Sequence, residues 1–308
     1  MKEKILWIGL LIVFISWIGN YFYFQSKQLD QPIFLDHYYE TYMQDESPLT
    51  FYYLSNKTDD AVINHVTIDG IDLYPVLDHG VVWSSSPTFE QEFTHQYLKS
   101  VTLDFAHVPF PINETDDAWS FEEITVTFTN GQTLTTDIGE VRVFKNLQNH
   151  ELFNFHSGST SSEHIHQEIM VATIPLTVEA IQIPFKELVE ELDVKVNVDT
   201  KLIKENESLR QRESTTGWQD PFGVLEWHEI KGISSHEEKL FPFQLERDNW
   251  LQLSMQMNPN HKSYVNFGVE ITGTTDDGKP FMRKSTIIEH PTLTQKVLNE
   301  IIDEKTRR

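Results

Sequence analysis

The sequence contains no cysteine among its 308 residues. This absence excludes disulfide bonds, thiol catalysis and cysteine-ligated metal centres. Basic residues are also scarce, because 24 lysines and arginines stand against 47 aspartates and glutamates and leave a formal net charge of −23. A chain with this charge repels polyanions, so we expect no nucleic-acid partner.

Several catalytic motifs are missing as well. The sequence has no G-x-S-x-G, S-x-x-K or H-E-x-x-H motif, no P-loop and no G-x-G-x-x-G. These patterns are typical of serine hydrolases, transpeptidases, zinc proteases and nucleotide-binding enzymes. We therefore predict a protein that is not an enzyme and that uses no cofactor.

What the sequence does contain is one long hydrophobic run, residues 5–24, without a formal charge. At about 1.5 Å per residue, a helix of this length spans about 30 Å, which matches the hydrocarbon core of a bilayer. Aromatic residues cluster at its end, at the depth of the headgroups. A cleaved signal peptide would have small residues there. Because bulky residues stand there instead, we predict an uncleaved transmembrane anchor whose partner is the lipid bilayer.

Charges on either side of this run predict its orientation. Lys2 and Lys4 precede it, whereas Lys27 lies close behind it and is soon followed by Asp30. The positive-inside rule then places residues 1–4 in the cytoplasm and the rest of the chain outside. We predict a single-pass protein of the cell membrane whose C-terminal part is extracytoplasmic. A disulfide-free external body of this size is typical of a bacterial envelope.

Short strand patterns separated by turns dominate the remainder of the chain. The clearest is a hairpin in which Ile124, Val126 and Phe128 alternate with threonines before Asn130-Gly131, the preferred pair for a two-residue turn. No alternation of helices with strands supports a parallel sheet. We predict a mainly β fold, in which a transmembrane helix precedes an antiparallel β-sandwich ectodomain of one or two immunoglobulin-like sandwiches with a short C-terminal helix.

Composition divides the chain into predicted segments. The most charged and least apolar stretch of the external part indicates a linker or a long loop. The predicted segments are a cytoplasmic tip (1–4), the anchor (5–24), a stalk (25–48), a first β-sandwich domain (49–200), the linker or long loop (201–220) and a second β domain with the C-terminal helix (221–308).

A histidine-rich stretch supplies the first candidate site. His164 and His166 stand at strand spacing, so both imidazoles would project from one face together with Glu168. Two histidines and a carboxylate suit zinc or non-haem iron. We therefore predict a metal site at these three residues, and the alternatives are a pH-sensing role and a polar loop without a function.

Acidic and aromatic clusters supply two further candidates. The densest acidic loop predicts a cation-binding site, because calcium binds converging carboxylate and amide oxygens, and solvated acids are the alternative. Its residues are Asn113, Glu114, Asp116 and Asp117. Two tryptophans in polar surroundings, Trp119 and Trp218, are predicted surface contacts for a sugar or an apolar partner.

Together these features predict a membrane-anchored extracytoplasmic module that binds a protein or glycan partner of the cell envelope. Two other classes stay open: a membrane-bound envelope hydrolase with an unrecognised carboxylate or metal site, and a sensor or accessory subunit that pairs through its anchor helix. A concave pocket lined by converging acids or by His164 and His166 would favour the hydrolase. A flat surface that bears aromatic side chains would favour the binding module.

Overall fold

The structure, a computed structural model, describes residues 2–43, 48–76, 89–106, 108, 118–145, 152–198, 226–237 and 240–307. The chain is mainly β with an apolar helix near its N-terminus and a short helix near its C-terminus, which confirms this part of the predicted class. The helices are α1 (Lys2–Gln25) and α2 (Gln295–Thr306). The strands are β1 (Ile33–Phe34), β2 (His37–Tyr42), β3 (Leu49–Asn56), β4 (Ile63–Ile68), β5 (Ile71–Leu73), β6 (Gln91–Glu92), β7 (Gln96–Leu103), β8 (Ala118–Phe128), β9 (Thr133–Phe144), β10 (Phe153–Thr160), β11 (Ile165–Ala172), β12 (Leu176–Gln182), β13 (Leu192–Asn197), β14 (Ile233–Ser234), β15 (Phe243–Leu245), β16 (Trp250–Met257), β17 (Tyr264–Thr275) and β18 (Pro280–Glu289).

The described strands form three sheets. A four-stranded sheet has the order β1-β3-β7-β6, and a five-stranded sheet has the order β10-β11-β16-β13-β14. The largest sheet has nine strands, in the order β15-β12-β17-β2-β9-β8-β4-β5 with β18 added along β17. In β8, buried Ile124, Val126 and Phe128 alternate with partly exposed threonines, as expected for a strand with one covered face.

The predicted hairpin is present as β8 and β9, but its turn is longer than the two residues expected. Phe128 N–H donates to the Gln132 carbonyl at 2.9 Å, which leaves three residues in the loop. Gly131 ends this loop at φ +82°. A three-residue hairpin loop commonly closes with glycine in the left-handed conformation, so the same Asn-Gly pair serves a different turn.

The prediction of a wholly antiparallel arrangement is wrong at β2. This strand pairs in parallel with both β9 and β17 and therefore lies inside the nine-stranded sheet. Its close approach to β9 requires glycine, because Gly139 has φ +85° and an added Cβ would lie 2.6 Å from the His37 carbonyl oxygen. Parallel partners are far apart in the sequence, so local patterns do not reveal them.

β17 joins the two parts of the nine-stranded sheet. One of its edges pairs with β18, and its other edge pairs first with β2 and then with β12. Between these two partners, Gly268 N–H donates to the Glu40 carboxylate at 3.1 Å. Glu40 thus satisfies a buried backbone donor on the edge of β17 away from β18, at the point where neither β2 nor β12 pairs with it.

Two hydrophobic cores lie on this sheet. The first combines side chains of the four-stranded sheet with those of β2, β4, β8, β9 and α2. The second combines the five-stranded sheet with β12, β15, β17 and β18. Phe51 is fully buried in the first core, and Phe185 and Phe267 are fully buried in the second. Each core therefore gathers apolar side chains from two sheets.

These cores differ from the predicted division of the chain. The stalk prediction is wrong for residues 37–42, because they form β2 inside the large sheet. β13, which precedes residues 201–220, pairs directly with β14 and β16, which follow them. The change from one core to the other falls between β9 and β10 instead. Residues 201–220 themselves lie outside the described part of the chain, where a linker or long loop stays a prediction.

The terminal helices have different surroundings. Within the described residues α1 contains one stretch, Leu6–Gln25, that is long and apolar enough to cross a membrane, and none of it is buried in the protein. In contrast, α2 is amphipathic, with Leu298 and Ile301 buried in the first core. Thr294 caps α2, because its hydroxyl accepts a hydrogen bond from Val297 N–H at 3.3 Å.

Candidate functional site

A cleft of about 630 Å³ lies between one end of the five-stranded sheet, strands β10, β11 and β16, and β18 of the nine-stranded sheet. β10 and β11 line it on one side and β18 lines it on the other, with Tyr42 of β2 and Met255 of β16 completing the wall. This volume falls within the range of ligand sites in proteins. The remaining lining residues are Phe155, Gly158, Ser159, Thr160, His166, Gln167, Glu168, Arg283, Lys284 and Thr286.

β10 has an open edge beside this cleft. In the part of the chain that is described, β10 pairs only with β11, and β18 pairs only with β17. Ser161 N–H donates to the Ile165 carbonyl at 2.9 Å, and bonded pairs alternate along an antiparallel ladder. The amide groups of Gly158 and Thr160 therefore point away from β11. Such unpaired groups can bond to another extended chain.

Two histidines share one carboxylate next to the cleft. His164 Nδ1 lies 2.8 Å from Glu289 Oε2, and His166 Nε2 lies 2.6 Å from Glu289 Oε1. Burial alone would raise the pKa of Glu289, but hydrogen bonds to His166 and then to His164 outweigh burial and hold this pKa below its usual value. The three side chains join the start of β11 and the residue before it to the end of β18.

The structure brings only part of the predicted metal site together. Glu168 has other partners, because Arg283 Nη2 lies 3.2 Å from its Oε1 and the Ser285 hydroxyl donates to its Oε2. His164 precedes β11 at φ +58°, so the strand spacing assumed for it does not apply. Among the described residues, no group of three or more histidine, aspartate or glutamate side chains is arranged to hold a metal ion. The three predicted residues are therefore not brought together as a ligand set, and Glu289, not Glu168, contacts the two histidines.

A buried ion pair lies beneath the cleft. Lys284 Nζ is 2.8 Å from Glu40 Oε1, 3.2 Å from Glu270 Oε1 and 4.1 Å from the centroid of the Phe144 ring. Burial raises the pKa of Glu40 against the opposing charge of Lys284. Burial, followed by the charges of Glu40 and Glu270, raises the pKa of Tyr42 to about 12. Tyr42 therefore keeps its proton at neutral pH and is a hydrogen-bond donor in the cleft.

A hydroxyl, an imidazole and a carboxylate are also hydrogen-bonded in series. Thr160 Oγ1 lies 3.2 Å from His166 Nδ1, and the other ring nitrogen contacts Glu289. Thr160 and His166 both line the cleft. A nucleophile, a base and an orienting group stand in this order in hydrolases with a catalytic triad. A catalytic role of the cleft would use this series.

Of the predicted acidic loop and the predicted tryptophan contacts, the structure describes one residue, Trp119. Trp119 is only 2% exposed, and its Nε1–H donates to Asp69 Oδ2 at 2.8 Å. The surface-contact prediction is wrong for Trp119, because its ring packs with Phe105 and Phe121 in the first core. The remaining predicted residues lie outside the described part of the chain: Asn113, Glu114, Asp116, Asp117 and Trp218.

Sequence reasoning missed the residues that complete the cleft. Arg283 lies 115 positions from Glu168, and Lys284 lies 244 positions from Glu40. The available signal was the adjacent cations Arg283 and Lys284 within a strand pattern. A strand with a covered face buries a cation only where a carboxylate lies beside it. Such a pair indicates that acidic partners exist elsewhere in the chain, but it does not identify them.

No protein-family model matches the chain, and no curated protein matches it. The interpretation of the cleft therefore depends on its own groups. These are an open strand edge, an exposed aromatic ring at Phe155, and charged side chains paired with one another.

Proposed function

We propose that the chain is a single-pass, membrane-anchored binding module of a bacterial cell envelope. α1 is the anchor, with its N-terminus in the cytoplasm, and the two cores belong to immunoglobulin-like sandwiches outside. The cleft between β10 and β18 captures an extended polypeptide segment of an envelope partner. The observation that carries this proposal is the open edge of β10, where the amide groups of Gly158 and Thr160 have no partner strand among the described residues.

An extended polypeptide suits the cleft better than a glycan does. An added strand forms main-chain hydrogen bonds with an open edge, and pockets beside the edge receive alternate side chains. Phe155, which is 64% exposed on β10, offers an apolar contact to such a side chain. The cations of the cleft are already paired, Arg283 with Glu168 and Lys284 with Glu40, so an acidic ligand is not required.

Photo-cross-linking in native membranes tests this function. The full chain carries benzoylphenylalanine in place of Phe155, and a matched control carries it in place of Tyr74, which is 66% exposed and does not line the cleft. We expect a covalent polypeptide adduct from position 155 and none from position 74. A glycan adduct at position 155, or equal adducts at both positions, would contradict capture of a polypeptide.

A second candidate function, an envelope hydrolase, is favoured by two observations. The cleft is concave and His166 lines it, which is the feature expected of a hydrolase, and Thr160, His166 and Glu289 form a hydrogen-bonded series. In this function His166 accepts the proton of the Thr160 hydroxyl while Glu289 orients the ring. The test is release of fragments from cell-wall material by the full chain in detergent. Loss of this release in Thr160→Val and His166→Ala, but not in His228→Ala, would establish the hydrolase; no release by the parent chain would eliminate it.

A further inference from the structure

The junction between α1 and the body is held by hydrogen bonds. Lys27 N–H donates to the Phe24 carbonyl at 3.1 Å, which continues the helix end as a turn. Leu29 is then held by the Asn56 side chain, because its N–H donates to Oδ1 at 2.8 Å and its carbonyl accepts from Nδ2 at 2.7 Å. Gln96 Nε2 donates to the Lys27 carbonyl at 2.7 Å. The body therefore begins within a few residues of the helix end, without a free linker between them.

The turn between β6 and β7, residues 93–95, touches the last turn of α1. The centroid of the His95 ring lies 6.2 Å from that of Tyr23 and 5.8 Å from that of Phe24. Lys27 Nζ lies 5.8 Å from the centroid of the same Tyr23 ring. Aromatic and lysine side chains at the end of a membrane helix lie at the depth of the lipid headgroups. A protein turn in contact with these side chains lies at that depth as well.

We propose that this end of the body is a lipid-contact surface that rests on the phospholipid headgroups of the membrane that holds α1. The surface consists of the β6–β7 turn and the neighbouring β3–β4 turn, residues 57–62. The two turns are adjacent because Asn56 at the end of β3 pairs with Gln96 at the start of β7. This inference rests on the proposed function of α1 as a membrane anchor.

The charge of this surface identifies the lipid chemistry that it fits. The chain as a whole has a net charge of −23, which disfavours approach to anionic lipid. Lys57 is in an ion pair with Glu92, so it adds little net positive charge to the surface. The contact is therefore held by the hydrogen-bonded junction and not by attraction to acidic lipid. A zwitterionic headgroup layer of phosphatidylcholine is sufficient for it.

The absence of cysteine from the parent chain makes a clean experiment available. Thr94→Cys places a fluorophore on the exposed tip of the β6–β7 turn. Asp276→Cys places it in the turn between β17 and β18, where Asp276 N–H donates to the Pro175 carbonyl at 3.3 Å. This turn adjoins the second core, whereas Leu29 beside α1 packs against the first. The full-length variants are incorporated into phosphatidylcholine vesicles that contain a headgroup nitroxide lipid. We expect the label at position 94 to lose more than half of its fluorescence, and the label at position 276 to keep nearly all of it.

The outcomes distinguish failure of the lipid-contact surface from failure of α1 as a membrane anchor. If the protein floats with the vesicles and the label at position 94 stays bright, the lipid-contact surface is overturned while the anchor stands. If the protein does not float with the vesicles, the anchor fails and the surface fails with it. Asn56→Ala in the Thr94→Cys chain should weaken the quenching, and the control Asn64→Ala, at an exposed position of β4, should not. Equal quenching in both would show that the Asn56 contact does not hold the body on the membrane.

Discussion

At the scale of single residues, His37 combines complete burial with a titratable ring. Its ring centroid lies 5.2 Å from Phe51 and 5.4 Å from Tyr264, and its Nε2 accepts a hydrogen bond from Tyr52 N–H at 2.9 Å. A nitrogen that accepts this bond carries no proton, so the ring is neutral. Burial in this aromatic environment lowers the pKa of His37 to about 3.

This pKa predicts a loss of stability in mild acid. The folded chain keeps the ring neutral down to about pH 3, whereas the unfolded chain binds a proton near pH 6.5. Between these values the unfolded state binds more protons, so the free energy of unfolding falls as the pH falls, by at most about 1.4 kcal/mol per pH unit. His37→Gln should flatten this dependence between about pH 6.5 and 5, above the range in which most carboxylates titrate. Urea unfolding of the full chain in detergent micelles at a series of pH values measures it.

A matched control for His37→Gln is His228→Gln. The His228 ring is 75% exposed, so its replacement should leave the pH dependence as in the parent chain. Some dependence should remain in His37→Gln, because burial also lowers the pKa of His261. An unchanged slope in His37→Gln would contradict the assignment.

At the scale of elements, the position of β2 depends on one glycine. Gly139 and Gly131 have nearly the same φ, +85° and +82°. They differ in their surroundings, since an added Cβ at position 131 would meet nothing within 4 Å, whereas one at position 139 would meet the His37 backbone. This pair separates the cost of the conformation from the cost of the close strand approach.

We predict unequal losses of stability for the two alanine variants. Gly131→Ala should cost about 1–2 kcal/mol, the penalty of the left-handed conformation for a residue with a Cβ. Gly139→Ala should cost about 1–3 kcal/mol more, because β2 and β9 must also move apart. Urea unfolding of both full-length variants provides the comparison. Equal losses of unfolding free energy in the two variants would show that β2 and β9 accommodate the added Cβ of Gly139→Ala without strain.

The same elements show which parts of the fold the sequence could predict. β8 and β9 are adjacent in the sequence, and β8 alternates between buried and exposed side chains, so the hairpin is readable from local pattern. β2 is covered on both faces, with five of its six residues buried, and therefore lacks alternation. Its buried members include the polar residues His37, Glu40 and Thr41, which made the segment resemble a solvated stalk.

At the scale of the whole molecule, the charges beside α1 predict the side of the membrane on which the body lies. A reporter enzyme that is active only outside the cell should be active when fused after Arg308. In the proposed topology Lys2 and Lys4 lie inside the cell, so the same reporter placed before α1 should be inactive. Activity of a cytoplasmic-type reporter at the C-terminal fusion would reverse the topology.

The sequence predicts the mainly β class and the apolar helix well, because both depend on local composition and spacing. The cleft could be predicted only in part. His166 and Glu168 were identified from the sequence, but their partners Glu289 and Arg283 approach them only through the packing of separate sheets. No local period encodes which two strand edges lie side by side.

The shared strand β17 has a consequence for biogenesis. Tyr264 and the α2 residues Leu298 and Ile301 complete the first core, whose other strands are all synthesised much earlier. A nascent chain that has emerged only as far as β16 therefore holds β2 with one bare edge and an unsealed apolar interior. Pairing between strands that are distant in the sequence is slow, and it leaves apolar surface and strand edges exposed to aggregation in the meantime. The N-terminal half cannot complete its core until the last segment of the chain has been added, so the protein is most open to misassembly and proteolysis during its own synthesis.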